Sequence, residues 1–356
     1  MTESSPRRSD RSIPRFHMIG NAHVDPAWMW GWAEGLEAFI ATCRSALDRI
    51  AETDELIFTC STAWLYARLE RLEPAMFAEI QRCVAAGRWE VVGGWWTEAD
   101  CNLPSGEGLM RQAEIGQCYF QRAFGRPATV GYSPDAFGHS AGLPQILRQS
   151  GLDSYIFCRP DPTELTLPSP LFSWQSSDGS SLPAYRVPFH YNMYQTTVTK
   201  KVRGLQSLLP SLGTDEWALF YGVGNHGGGP TKEQIAAIEQ IDGLGEVALP
   251  FSRLDRFFSA VADRELPVVT GDLQMNAPGT YTSHSLIKRL NRQSEAHLLR
   301  AEVLDVLATS FGGECYRQLA SDAPERLQQA WQEVCFNHFH DIICGVAIRS
   351  ALDDAV

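Results

Sequence analysis

No run in this 356-residue chain is long and apolar enough to cross a membrane, so an α-helical span is not expected. The polar start, Met1 to Ser12 with Arg7, Arg8 and Arg11, lacks the apolar core of a secretory signal, and residues 1–13 are expected to form a disordered tail. Basic residues are the minority: 30 Lys and Arg against 42 Asp and Glu leave a net charge of −12. That balance argues against nucleic-acid partners and against anionic membrane surfaces. Cys-x-x-Cys pairs are missing as well. The nine cysteines, at positions 43, 60, 83, 101, 118, 158, 315, 335 and 344, are odd in number and scattered. They read as reduced thiols of a cytoplasmic protein, most of them small apolar core residues. There is no Gly-Lys-Ser/Thr, so the glycine-rich loop Gly224–Gly229 lacks a phosphate-cradle signature; a tight turn or close approach of a ligand is expected instead. Internal repeats and low-complexity stretches are also absent.

What is present is an alternation of strand and helix patterns. Strands are expected at Phe16–Gly20, Leu56–Cys60, Trp89–Val92, Thr129–Tyr132, Ser154–Phe157, Ala218–Val223 and Val268–Thr270. Helical patterns lie between them near Leu36–Ala51, Ala63–Ala86, Glu107–Phe124, Leu143–Gln149, Thr231–Gln240 and Ser252–Ala262. Repeated β then α argues for an α/β fold of parallel strands with right-handed crossovers. Leu171–Gln175 and Leu182–Val187, split by Ser177-Asp178-Gly179-Ser180, read as an inserted hairpin. After Tyr281 the pattern changes to long helices, Ser283–Thr309 and Pro324–His340.

Three polar segments interrupt this scheme. In Gly20-Asn21-Ala22-His23-Val24-Asp25-Pro26-Ala27-Trp28, His23 and Asp25 are two apart, so an extended backbone sends both side chains to one side. An imidazole and a carboxylate converging on one point suit Zn²⁺ or a similar ion. The competing reading is a turn in which Asp25 caps the next helix and Pro26 begins it. In Thr129-Val130-Gly131-Tyr132-Ser133-Pro134-Asp135-Ala136-Phe137-Gly138-His139-Ser140, Asp135 sits at the C-terminal mouth of a strand, where α/β enzymes build their sites. In Phe336-Asn337-His338-Phe339-His340-Asp341-Ile342-Ile343-Cys344-Gly345, polar groups break an otherwise buried run, where a single histidine is more often a hydrogen-bonded core residue than a ligand. Together the segments offer His23, Asp25, Asp135 and His340.

With these motifs in order, the chain resembles the glycoside hydrolase family 38 α-mannosidases. His23 to Trp28 matches their His-x-Asp-Pro-x-Trp, Asp135 to Ser140 their Asp-x-Phe-Gly-His-Ser, and His340-Asp341 with Gly345 their third motif. Asp100-Cys101-Asn102-Leu103-Pro104-Ser105-Gly106-Glu107 and Gly224-Asn225-His226-Gly227-Gly228-Gly229-Pro230 are similar to the bacterial and cytosolic branch. The resemblance implies a distorted seven-stranded β/α barrel (residues 14–275) followed by the start of an α-helical bundle (281–356, incomplete). It implies one Zn²⁺, with Co²⁺ as a substitute, on His23, Asp25, Asp135 and His340, and Asp135 as the nucleophile of a retaining hydrolase acting on α-mannosides. The metal would grip the 2- and 3-hydroxyls of mannose and keep Asp135 ionised.

Other roles follow from the same resemblance. Trp28 would be a stacking floor for the sugar, or else a core indole beside Trp30 and Trp32. Arg159 matches an arginine near the site; Asp341 would orient His340 or touch a hydroxyl; Asn225 would contact substrate. His139 would support the ligands rather than join them. The general acid/base stays open among His226, Asp100 and Glu98. Relatives continue well past Val356, so metal binding is a stronger expectation than turnover. Two other readings stand beside the mannosidase: a zinc-dependent carbohydrate deacetylase or phosphoesterase, and a non-catalytic mannose-binding domain. Homo-oligomerisation is left open.

Overall fold

A computed structural model describes residues 13–194, 196–212, 214–224, 226–274, 276–314 and 321–356, and the side chains of 210–212 are not part of that description. The expected tail falls almost wholly on residues outside it.

The chain opens with β1 (Arg15–Asn21), α1 (Trp32–Glu52), β2 (Phe58–Ser61), α2 (Ala63–Leu72), α3 (Pro74–Ala85) and β3 (Trp89–Val92). It continues with α4 (Gly106–Phe124), β4 (Val130–Ser133), α5 (Leu143–Gln149) and β5 (Ser154–Phe157). The hairpin is β6 (Leu171–Gln175) and β7 (Ser181–Arg186), followed by α6 (Val198–Leu212), β8 (Glu216–Tyr221), α7 (Lys232–Asp242), α8 (Leu254–Ala260) and β9 (Val268–Thr270). The last part is helical: α9 (Ser285–Phe311), α10 (Ala323–Asn337), α11 (His340–Ile343) and α12 (Arg349–Asp354).

Backbone hydrogen bonds group the strands into two sheets, ordered β3-β2-β1-β8 and β4-β5-β7-β6-β9, rather than into one closed ring of seven. The first sheet is parallel throughout. In the second, β4, β5 and β7 are parallel, while β6 pairs antiparallel with β7 and carries β9 along. The sheets meet where the N–H of Gly93 donates to the carbonyl of Val130 at 2.8 Å. On the other flank the Tyr185 hydroxyl donates to the carbonyl of Ala218 at 2.7 Å. Strands covered by helices are buried throughout: β2, β3, β4 and β5 are buried at every position, small polar residues and Glu90 included. The covering helices bury one stripe each; in α1 it is Leu36, Phe39, Cys43, Leu47 and Ile50, spaced three or four apart.

Local chemistry corrects two helix expectations. The single helix expected over Ala63–Ala86 is two, because Pro74 has no N–H and forces Glu73 out of the helical region (φ −129°, ψ 61°). Proline then starts the second helix at its first turn. The helix expected to run to His340 stops at Asn337, since Phe339 is extended (φ −49°, ψ 135°) and turns His340 inward. An additional helix, α6, lies where the sequence reading placed none.

Candidate active site

The end of β1 is tied to its neighbours before the first polar motif begins. The Asn21 amide donates to the carbonyls of Tyr191 (3.1 Å) and Tyr221 (3.0 Å), and its oxygen accepts from the Tyr132 hydroxyl (3.3 Å). Beyond it, His23 and Asp25 leave on one side, as the alternation requires: Nε2 of His23 lies 2.6 Å from Oδ1 of Asp25. Asp25 does not cap α1, whose N-cap is Gly31 with no side-chain cap. A glycine at position 35 lets α1 lie against this loop, because a Cβ there would run into the carbonyl of Pro26.

Asp135 follows β4 and Arg159 follows β5, so their side chains meet the same strand-end space. Nε of Arg159 donates to Oδ1 of Asp135 at 2.7 Å, while Oδ2 lies 4.0 Å from Nε2 of His23. His340 closes the group: its Nε2 is 3.7 Å from Oδ1 of Asp25, and its ring stacks on His23 with centroids 5.6 Å apart. One ligand atom from each of His23, Asp25, Asp135 and His340 fits within 4.8 Å of the others, and all four residues are buried.

This donor set fits a metal ion. Nε2 of His23, Nε2 of His340 and Oδ1 of Asp25 are buried and make no hydrogen bond. Atoms of that kind are costly unless a cation or proton lies among them. Nδ1 of His340 donates to the carbonyl of Glu98 at 3.0 Å, which leaves the Nε2 lone pair facing the cluster. Burial opposes charge on His23, but the carboxylates of Glu98 and Asp25 raise its pKa well above the usual value. His340 is raised for the same kind of reason, by Asp341, Glu98 and Asp25 against burial. Burial would push the Asp135 carboxyl up, yet Arg159, His23 and His340 outweigh it and hold it at about 2.

The remaining expected residues fall in distinct places. Trp28 is half-buried and meets Trp30 edge to face at 5.6 Å, so it is neither a core indole nor fully free. Asp341 is buried with Oδ2 3.8 Å from Nε2 of His340, and burial, partly offset by His340, pushes its carboxyl up to about 8. His139 supports the site from behind: Nε2 donates to the carbonyl of Arg159 at 2.8 Å and Nδ1 accepts from the Tyr155 hydroxyl at 2.9 Å. Asn225 lies outside the described residues. Among the acid/base candidates, Asp100 has one oxygen on the N–H groups of Asn102 and Leu103 and the other on the thiol of Cys344. Glu98 accepts the N–H of Asp135 at 2.8 Å and places its other oxygen 2.9 Å from Nδ1 of His23. His226 is exposed, its ring 3.9 Å from that of Trp30 and its Nε2 4.0 Å from Glu34.

Two aromatic neighbours escaped the sequence reading. Tyr191 is fully buried with its ring edge-on to His23 at 5.3 Å, and Phe137 meets His340 at 5.8 Å. Phe137 stood inside a quoted motif and only its role was missed. Tyr191 follows two non-glycine residues with positive φ, Phe189 and His190, a conformation that no composition signal announces.

The strand ends of this α/β fold thus carry a buried His-Asp cluster with the spacing to hold a metal ion. Residues 14–281 match the model of the glycosyl hydrolases family 38 N-terminal domain, and residues 278–356 that of the alpha mannosidase middle domain. The chain belongs to glycosyl hydrolase family 38. It is 30% identical over 347 residues to alpha-mannosidase 2C1 of Homo sapiens, covering 96% of this chain and 33% of that protein. Alpha-mannosidase G of Dictyostelium discoideum is 30% identical over 353 residues, covering 98% of this chain and 32% of the relative. The chain thus spans about a third of the length of these relatives. In fold it is similar to an alpha-mannosidase from Enterococcus faecalis V583, with a TM-score of 0.81 and 20% identity over 96% of this chain and 40% of that one.

Proposed function

We propose that this chain carries the catalytic site of a zinc-dependent retaining α-mannosidase that hydrolyses terminal α-mannosidic bonds. The observation that carries the reading is the double engagement of Asp135: Arg159 holds one oxygen at 2.7 Å while the other faces the His23 side of the cluster. A carboxylate held at about 2 is ionised at neutral pH, as a nucleophile must be and a proton donor must not. Family membership and the similarity to proteins named alpha-mannosidase support the substrate class.

In this reading His23, Asp25, Asp135 and His340 hold the ion. Zinc, or Co²⁺ in its place, would supply Lewis-acid attraction for neighbouring sugar hydroxyls and favour the ionised form of Asp135. The Asp135 carboxylate attacks the anomeric carbon as the bond to the leaving oxygen breaks, giving a mannosyl ester and, once protonated, a free alcohol. A deprotonated water then cleaves the ester with a second inversion, so configuration is retained. Trp28 offers its half-exposed ring to the apolar face of the sugar, and Asp341 a hydrogen bond to a hydroxyl. Glu98 and Asp100 are occupied within the fold, so we assign proton transfer to His226 among the three candidates. We read β8-β1-β2-β3 and β4-β5-β7 as the seven strands of a distorted barrel, seamed at Gly93 and Val130, with residues 14–275 in it and 281–356 beginning a helical bundle. Eight free cysteines among the described residues support a reducing compartment such as the cytoplasm.

The test is covalent trapping of the zinc-loaded protein with a fluorinated α-mannosyl fluoride, followed by peptide mass spectrometry. The reading expects one mannosyl group on the peptide carrying Asp135. A zinc-loaded protein that forms no adduct, or one on another residue, overturns it and favours a deacetylase-type or binding-only site.

A further inference from the structure

The metal cluster draws on two distant parts of the chain, and its geometry depends on how they are joined. Residues 98–101 run alongside residues 338–340: Ala99 bridges Phe339, the N–H of Asp100 donates to the carbonyl of His338 at 2.9 Å, and the N–H of His340 donates to that of Glu98 at 3.3 Å. This short pairing brings Glu98 to three of the four cluster residues. One oxygen stands 2.9 Å from Nδ1 of His23, the other accepts the N–H of Asp135, and the main-chain carbonyl accepts Nδ1 of His340.

At the far end of the pairing sits a carboxylate that the chemistry above does not use. Glu295, on α9, is 3% exposed. Its Oε1 accepts the N–H of Ser105 at 3.0 Å and the Asn291 amide at 3.2 Å, and lies 3.2 Å from Nε2 of the fully buried His338. Its Oε2 pairs with Arg292 at 3.1 Å. Room for this arrangement is made on α4 by Gly108, where a Cβ would come within 2.6 Å of Oε1 of Glu295 and 2.8 Å of the His338 ring. Nδ1 of His338 is 3.4 Å from the amide of Gln112, which also binds the N–H of Thr97 and the carbonyl of Cys335. A single buried carboxylate therefore links the stretch carrying Glu98 to the stretch carrying His340, from a helix that supplies no ligand itself. Leaving such a group's partners unpaired in the interior is expensive, which favours keeping these contacts together.

We propose that Glu295, acting through His338 and Ser105, is a positioning residue for the metal cluster, setting the register of the 98–101 and 338–340 segments and so the approach of His340 and Glu98 to the ion. This deepens the metalloenzyme reading and rests on it. Outer hydrogen-bond partners of metal ligands alter affinity by about 10- to 100-fold when removed, and Glu295 acts one step further out through two backbone pairings.

The experiment compares zinc affinity, by chelator competition well below the unfolding temperature, in the wild type, Glu295→Gln, His338→Leu and His338→Gln. Each protein is also loaded with Co²⁺ and its visible absorption recorded, because the intensity and position of those bands report ligand number and geometry. The inference expects Glu295→Gln and His338→Leu to lose about tenfold or more in zinc affinity and to change the cobalt spectrum. His338→Gln, which keeps a donor toward Glu295, should stay near the wild type. Should Glu295→Gln fail to fold, the two His338 variants carry the same comparison. A lowered melting temperature with unchanged affinity and spectrum in the folded variants would show a purely structural clip and overturn the inference. If the wild type itself binds neither ion, the metalloenzyme reading fails first and the inference falls with it.

Discussion

Oε2 of Glu98 lies 2.9 Å from Nδ1 of His23, on the side of the imidazole away from Asp25, whose Oδ1 faces Nε2 at 2.6 Å. A carboxylate at Nδ1 orients the ring and makes Nε2 the better electron donor. Glu98 thus works on the cluster from behind, whereas a proton donor would have to face the sugar.

Glu98→Gln keeps the size of the side chain and removes its charge. Zinc affinity is expected to fall by about 10- to 100-fold, with the fold retained. Chelator competition alongside circular dichroism checks this; unchanged affinity would return Glu98 to the acid/base candidates.

Replacing Arg159 by Met removes the cation that holds Asp135 at about 2. Burial then acts with less opposition, so the Asp135 carboxyl titrates at higher pH. If Asp135 is the nucleophile, the acid limb of kcat/KM reports its protonation, and that limb should move upward in pH in the variant. A limb that stays in place would show that some other group controls it.

If His226 delivers the proton, His226→Gln should slow hydrolysis of mannosides with poor leaving groups by about 10²-fold or more. Activated aryl mannosides, which need little protonation to leave, should lose far less. Equal losses on both substrate types, or none, would remove His226 from that role.

Glu90 gives a prediction about stability alone. Its buried carboxyl, pushed up to about 7, accepts from Thr59 and from the N–H groups of Leu254 and Asp255 that open α8. The folded form keeps this proton between the ordinary carboxylate value and about 7, while the unfolded chain has released it. Stability from this group is therefore complete below the unfolded value and declines as pH rises through that window, by about 3 kcal/mol in all. Glu90→Gln has no such proton, so melting curves at pH 5 and pH 8 should show the variant gaining on the wild type at the higher pH. A pH-independent gap between the two would contradict the account.

The four cluster residues were legible because each sits in a short motif at the end of an apolar run, and strand ends are where such sites form. His23 and Asp25 needed only the two-residue alternation of an extended chain. Glu98 was visible as a residue but not as a hub, since its partners Asp135 and His340 are 37 and 242 positions away and no local pattern encodes those pairings. Glu295 carried no signal at all within a helix rich in polar residues. The break at Phe339 was hidden because its helical neighbours continue the same apolar spacing. The boundary at Pro74 could have been read from proline alone. Which strands join into which sheet depends on contacts between non-neighbouring strands, and the order of elements along the chain does not state it.

The central claim is a four-residue metal site, and metal stoichiometry tests it most directly. Zinc content would be measured by mass spectrometry after reconstitution and desalting, on the wild type, Asp25→Asn and His340→Ala. The account predicts one zinc per chain in the wild type and substoichiometric zinc in both variants at matched secondary structure. A wild type that retains no zinc, or variants that retain as much as it does, would contradict the site and the chemistry built on it.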